Sequence, residues 1–299
     1  MRVFVTGASG WIGSAVTASL LARGHAVVGT ARSDASAAKL EHLGAAVRRT
    51  DLDDLAGLRA GALESDAVVH LANKHDFVNP GVSDRAERAA VETFVDALAG
   101  TDKPFLLASG LAGHRLGRAI VETDRTDARG PEAMRGGTEN LALDAAASSG
   151  LHAVSLRFAP TVHGDGDHGF VAYLVQAARN AGAALYVGDG ATAWSAVHVS
   201  DAGDAVARAV ERAQGGTAVH VAAEEGTSTR GIAEAIGRGL GLPTRSVTQE
   251  EATERLGFIG HVLGMDLRAS SEATRRELDW SPTGPTLLED LATDAYFRS

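Results

Sequence analysis

The chain has 299 residues, 44% hydrophobic and 22% charged, enough to bury a sizeable core as one large domain or two modest ones and too apolar for a disordered chain. It has no cysteine, which excludes disulfides, thiolate zinc sites, iron–sulfur clusters and cysteine nucleophiles. Its net charge of −10 argues against a nucleic-acid partner, which needs clustered Lys and Arg, and no apolar run reaches the roughly 18 residues that cross a membrane.

In chain order, short apolar runs alternate with longer Ala-rich stretches of helical period. Val3–Val5, Ala26–Gly29, Ala45–Val47, Ala67–Leu71, Phe105–Ala108 and Ala153–Leu156 read as strands. Trp11–Arg23, Ser36–Leu43, Asp84–Leu98 and Glu132–Ser149 read as helices, with Leu55–Ala60 as a single turn. Gly24 and Gly150 sit where helices should stop. Such alternation builds right-handed βαβ units and an α/β fold: a doubly wound parallel sheet covered on both faces. The pattern loosens after Phe158. Thr161–Gly169, rich in Gly and His, predicts a loop, and Phe170–Ala181 a helix. Trp194–Val199 predicts a strand, Asp201–Arg212 a helix, Thr217–Val221 a strand, and Thr227–Leu240 a helix that Pro243 ends. These runs predict a dinucleotide-binding domain over residues 1–158 plus about 193–221, and a smaller α/β substrate lobe over about 159–192 plus 222–299. Met1-Arg2-Val3-Phe4-Val5 enters a strand at once, without room for a signal peptide, so the expected setting is the cytoplasm.

The most specific signal is Val3-Phe4-Val5-Thr6-Gly7-Ala8-Ser9-Gly10-Trp11-Ile12-Gly13, directly after the first strand and opening the first helix. Gly7 permits the tight turn, Gly10 lets backbone approach a pyrophosphate, and Gly13 lets the helix pack close to the sheet. The helix N-terminus then offers free N–H donors and a positive dipole end, and Ser9 can add a hydroxyl. A glycine pattern alone is weak; in a strand–loop–helix context it points to a Rossmann-type dinucleotide site.

The spacing G-x-x-G-x-x-G after Thr6 resembles the short-chain dehydrogenase/reductase superfamily, in its extended and atypical, NAD-dependent epimerase/dehydratase-like branch. The resemblance runs along essentially the whole chain. It implies an adenine contact at Asp51-Leu52, and backbone approach to the cofactor ribose at His70-Leu71-Ala72-Asn73. It further implies an active-site hydroxyl at Ser109 and a nicotinamide-facing loop entered through Leu156-Arg157-Phe158-Ala159-Pro160. Trp194 to Asp201 resembles the return strand and helix start near the substrate. A homodimer through two helices is the family's habit.

An NAD site normally carries an acid at the end of the second strand to accept the ribose hydroxyls. Here that stretch is Gly29-Thr30-Ala31-Arg32-Ser33, and Arg32 suits a 2′-phosphate as a charge-assisted fork. NADP is therefore expected, with NAD as the alternative, and Asp34 is read as a cap of the following helix.

Reduction in the resembled family uses Tyr-x-x-x-Lys on a helix, a spacing that puts both side chains on one face. Among the three tyrosines, Tyr173, Tyr186 and Tyr296, none precedes a lysine at this spacing, and the three lysines are Lys39, Lys74 and Lys103. Aligning the glutamate that often follows the motif with Glu139 puts Pro131 at the Tyr position and Arg135 at the Lys position. Arg135 can hold a ribose or polarise a carbonyl but cannot give up a proton. The family's active-site asparagine is also missing, with Asp84 as the nearest replacement. Histidine is suited to proton transfer near neutral pH, and His114, five residues after Ser109, is the first choice, with His75 the second. His163 and Trp194 are substrate candidates. His163-Gly164-Asp165-Gly166-Asp167-His168 makes an imprecise ligand set in a flexible loop, so no metal is expected.

The leading expectation is an NADP-dependent oxidoreductase acting on a small carbonyl- or imine-like substrate, with Ser109 and Arg135 orienting the acceptor and His114 or water supplying the proton. Two others remain open: proton chemistry such as epimerisation or an unusual oxidation by a cleft His or Asp84, and a non-enzymatic NADP sensor that binds partners.

Overall fold

The computed structural model describes residues 1–74, 79–111, 117–130 and 133–298. Its first half runs β1 (Arg2–Thr6), α1 (Trp11–Ala22), β2 (Ala26–Ala31), α2 (Asp34–Leu43), β3 (Ala46–Arg49), α3 (Leu55–Leu63), β4 (Ala67–His70), α4 (Pro80–Leu98), β5 (Phe105–Gly110), α5 (Met134–Ser149) and β6 (Ala153–Phe158). The chain continues with β7 (Thr161–His163), α6 (Phe170–Ala181), β8 (Ala184–Val187), β9 (Ala193–His198), α7 (Val199–Arg212), β10 (Thr217–Val221), β11 (Glu224–Ser228) and α8 (Thr229–Leu240). It ends with β12 (Thr244–Val247), α9 (Gln249–Leu256), α10 (Phe258–Leu263), α11 (Glu272–Leu278), α12 (Leu287–Asp290) and a 3₁₀ turn at Asp294–Tyr296.

Seven strands form one parallel sheet in the order β10-β6-β5-β4-β1-β2-β3. The order reverses between β1 and β4, and a doubly wound sheet opens its binding crevice at such a switch point. Alternation along β1 sends Val3 and Val5 to one face and Phe4 to the other. Val3 and Val5 join Val16, Leu20, Val206 and Val210 of α1 and α7; Phe4 joins Leu58, Val91, Phe94 and Leu98 of α3 and α4. Helix α7 lies against α1 at Gly203, where an added Cβ would come within 2.7 Å of the Ala15 carbonyl.

After Phe158 the chain leaves this sheet and rejoins it at Thr217. In between, β9 pairs with β7 and β11 in a separate three-stranded sheet, and β8 pairs with β12. A separate core of Leu174, Trp194, Ile232, Ile236, Val262 and Leu287 fills this lobe. Among the described residues no helix is long and apolar enough to cross a membrane.

The expected strands and helices of the first half are present, several with longer bounds. The single turn at Leu55–Ala60 is the nine-residue α3, and Ser33 rather than Asp34 caps α2, accepting from the Ser36 N–H at 3.2 Å. Asp34 is instead the first helical residue, paired with Arg49 at 2.6 Å. The predicted loop 161–169 begins as strand β7, because its three residues pair with Ala196–His198 across the sheet. β11 (EEGTS) has no apolar alternation and is a strand through pairing with β9.

Candidate cofactor and active site

The glycine loop fills the space between β1, α1 and the end of β4. Gly7 has φ +68°, and a Cβ there would lie 2.8 Å from the Ala72 nitrogen. A Cβ on Gly13 would lie 2.0 Å from the Gly7 carbonyl oxygen. The Gly10 N–H donates to Gly7 O at 3.0 Å, and no side chain caps α1. The first N–H groups of α1, at Trp11, Ile12 and Gly13, therefore have neither an intrahelical acceptor nor a cap. This is a cradle for an anion, and its residues fit a dinucleotide pyrophosphate. Ser9 is half-buried, its carbonyl accepting from the Lys39 ammonium at 2.9 Å.

Beyond the loop, β2 ends at Ala31, followed by exposed Arg32. Asp51 turns inward on its own segment, accepting from the Asp53 and Asp54 N–H groups at 2.9 and 3.2 Å, and Leu52 is buried in the core. Asp54 caps α3 through the Gly57 N–H at 2.8 Å, and that bond holds its carboxyl below the usual range.

At the end of β4, Thr6 Oγ1 accepts from the Leu71 and Ala72 N–H groups, each at 3.2 Å, and lies 2.7 Å from His70 Nδ1. Burial, and secondarily the charge of Arg135, pushes His70 down to about 3, so it is neutral. Asn73 Nδ2 donates to Glu87 Oε2 at 2.7 Å, and Arg135 Nε donates to the same oxygen at 3.0 Å. Glu87, like His220 and Asp290, is a residue that the sequence reading did not single out. It lies on α4 one turn beyond Asp84, and that i, i+3 spacing was the available signal. Asp84 is half-buried, and among the described residues no bond joins it to Ser109 or Arg135.

Ser109 is buried, and its hydroxyl donates to Glu139 Oε2 at 2.8 Å. Glu139 Oε1 accepts from Arg157 Nε at 2.7 Å, and Arg157 Nη1 lies 3.2 Å from His220 Nε2. His220 Nδ1 lies 2.7 Å from the Ser270 carbonyl, so the proton sits on Nδ1 and Nε2 accepts from Arg157. The Ser109 proton is thus directed into a buried network joining β5, α5, β6 and β10. His75, His114 and Pro131 lie outside the described residues.

Phe158 is buried at the end of β6 and Pro160 half-buried beyond it. The Trp11 indole N–H reaches across to the Val162 carbonyl at 2.8 Å, and its ring stands 6.1 Å from His168. His163 is fully buried, with Nδ1 donating to Asp290 Oδ2 at 2.6 Å and Nε2 3.8 Å from Glu224. Trp194 is also fully buried, 5.9 Å from the Phe170 ring, so neither of these two substrate candidates presents a surface to solvent. Asp167 accepts from the Tyr296 hydroxyl at 2.8 Å, and burial raises both groups above their ordinary values. They line a cleft of about 390 Å³ with Asp165, Gln176, Arg179 and Arg298. Burial lowers His198, the other ring facing His163. Among the described residues no group of three His, Asp or Glu stands where it would hold a metal ion.

A family model described as "NAD dependent epimerase/dehydratase family" matches residues 3–104 and 135–222. An uncharacterized protein of Schizosaccharomyces pombe is 40% identical over 301 residues, covering 99% of this chain and all of that one. A 2′-dehydrokanamycin reductase of Streptomyces kanamyceticus is 31% identical over 271 residues, 86% of this chain and 72% of the relative. Among solved structures, a UDP-glucose 4-epimerase of Stenotrophomonas maltophila with bound NAD and formylated UDP-arabinopyranose superposes with a TM-score of 0.75. That match is 22% identical and covers 99% of this chain and 97% of the other.

Proposed function

Because the chain belongs to the NAD dependent epimerase/dehydratase family, we propose that it is an NADP-dependent oxidoreductase moving hydride to or from a small carbonyl- or imine-like substrate. The observation that carries the choice of nucleotide is the pair of cations beside the glycine loop. Arg32 follows β2 where an NAD site has an acid, and Lys39 brings its ammonium to the Ser9 carbonyl. Both favour a 2′-phosphate. The dinucleotide would supply or accept the hydride. The N–H groups of Trp11, Ile12 and Gly13 would hold its pyrophosphate. Arg135 would orient the ribose or polarise the acceptor, and it cannot act as an acid. His70 is neutral and buried, and the proton would come from His114, His75 or water. The 31% identity to a reductase supports the direction of this reading. We assign substrate binding to the lobe of about 159–192 plus 222–299.

The test is calorimetric titration of nucleotide-stripped protein with NADP⁺, NADPH, NAD⁺ and NADH, followed by NADPH oxidation on a carbonyl and imine panel. The expected result is tight binding of the 2′-phosphorylated pair, weakened on the order of tenfold by Arg32→Ala. Indifference of NADPH affinity to Arg32→Ala, or binding of none of the four, would overturn it. Turnover surviving complete removal of nicotinamide would replace it with proton chemistry at a cleft His or Asp84.

A further inference from the structure

Arg135 does not stand alone in the position where a lysine was expected. Its Nε donates to Glu87 Oε2 at 3.0 Å, and Asn73 Nδ2 donates to that oxygen at 2.7 Å. The Thr138 hydroxyl lies 3.4 Å from the other carboxylate oxygen. Glu87 is 3% exposed and the Arg135 side chain 33% exposed. A carboxylate at this depth needs a cation, and among the described residues Arg135 is bonded to it. The constellation joins the end of β4 to α4 and α5. It also leads to the glycine loop: Asn73 follows Ala72, the residue packed on Gly7, and the charge of Arg135 acts on His70 beside Thr6.

We propose that Glu87 is a positioning residue: by holding Arg135 at Nε, it sets the guanidinium so that its two Nη groups take the vicinal hydroxyls of the nicotinamide ribose. The chemistry follows from the shape of the group. A guanidinium has five N–H donors in a fixed planar fork, and fixing Nε fixes the direction of the opposite pair. The paired Nη groups match two neighbouring oxygens. A lysine ammonium carries its three donors on one freely rotating atom and would not need orienting. The carboxylate thus converts an always-charged, flexible side chain into an oriented donor pair, and Asn73 keeps the carboxylate from rotating. The inference rests on the oxidoreductase reading only for the identity of the nucleotide.

The experiment measures NADPH binding by fluorescence titration, which needs no substrate. Glu87→Gln keeps the shape and the Asn73 contact but removes the charge, and NADPH Kd should rise on the order of tenfold. A second arm uses chemical rescue. Added guanidinium should restore NADPH binding to Arg135→Ala when Glu87 is present and fail to do so in Glu87→Gln/Arg135→Ala. A residue that only stabilised the fold would lower the thermal midpoint without deciding rescue. If Glu87→Gln does not fold, Arg135→Lys gives the second reading. Its affinity should fall because lysine has one nitrogen and no separate Nε–H with which to stay fixed to Glu87 while the remaining nitrogens reach the ribose. Wild-type affinity for NADPH in Glu87→Gln, or rescue that ignores Glu87, overturns the inference while leaving the function standing. Wild-type protein that binds no NADPH overturns both.

Discussion

His70 shows how burial decides the role of a residue. Its ring lies 5.3 Å from Phe94, its Nδ1 touches Thr6, and Nε2 is buried without a partner among the described residues. The native side chain takes up a proton only near pH 3, whereas an unfolded histidine does so near 6.5. Between these values the unfolded chain holds the extra proton, so stability falls as pH drops from 6.5 toward 3. The slope from this group is at most about 1.4 kcal/mol per pH unit. Glu211 adds to the acid side with the same sign. Its bond to Arg23 lowers it to about 2, and that contribution is present above 4.5 and lost toward 2. Urea unfolding at pH 7.5 and 4.5 checks the first part: wild type should lose stability between the two, and His70→Gln should lose distinctly less.

At the scale of elements, α1 is held to the sheet by absent side chains. Its start fits only because Gly13 brings no Cβ to the Gly7 carbonyl, and its later turns meet α7 through Gly203. Gly13→Ala should cost about 1–3 kcal/mol through overpacking. Because the displaced atoms are the cradle itself, NADPH affinity should fall by more than tenfold as the thermal midpoint drops. Scanning calorimetry and titration read the two effects separately. Helix α5 belongs to a different case. Arg135 and Glu139, one turn apart, serve two distinct buried carboxylate networks, one toward α4 and one toward β6.

Across the whole molecule, Trp11 ties the glycine loop to the second lobe. Its indole donates to Val162, and the following loop is fastened in turn to the end of the chain by His163 to Asp290 and by Gly164 N–H and Asp167 to Tyr296. The glycine loop therefore reaches the last helical turn through two short steps. Trp11→Phe removes one bond, worth about 1 kcal/mol, so the thermal midpoint should drop by roughly 2–4 °C. NADPH affinity should stay within about twofold if, as proposed, backbone N–H groups rather than the indole hold the pyrophosphate. A large loss of affinity would give the ring a direct part in binding.

Much of the first half was legible locally. Buried parallel strands read as apolar runs such as Ala67–His70, and a glycine at a turn or helix end has a local reason, as at Gly7, Gly24 and Gly150. The glycine cradle and the exposed cation after β2 also belong to contiguous sequence. The second lobe was less legible, because β7, β8, β11 and β12 are strands by virtue of partners 28 to 60 residues away. The same limit applied at the site. Ser109 donates its hydrogen bond to Glu139, 30 residues on. Glu87 meets Arg135 across 48 residues, and His163 meets Asp290 across 127. By itself the sequence determined the doubly wound sheet and the glycine turn that opens α1, since each depends on period or short spacing. Tertiary structure alone decided which polar groups face one another, because a buried charge takes its partner from whatever the packed helices and strands bring beside it.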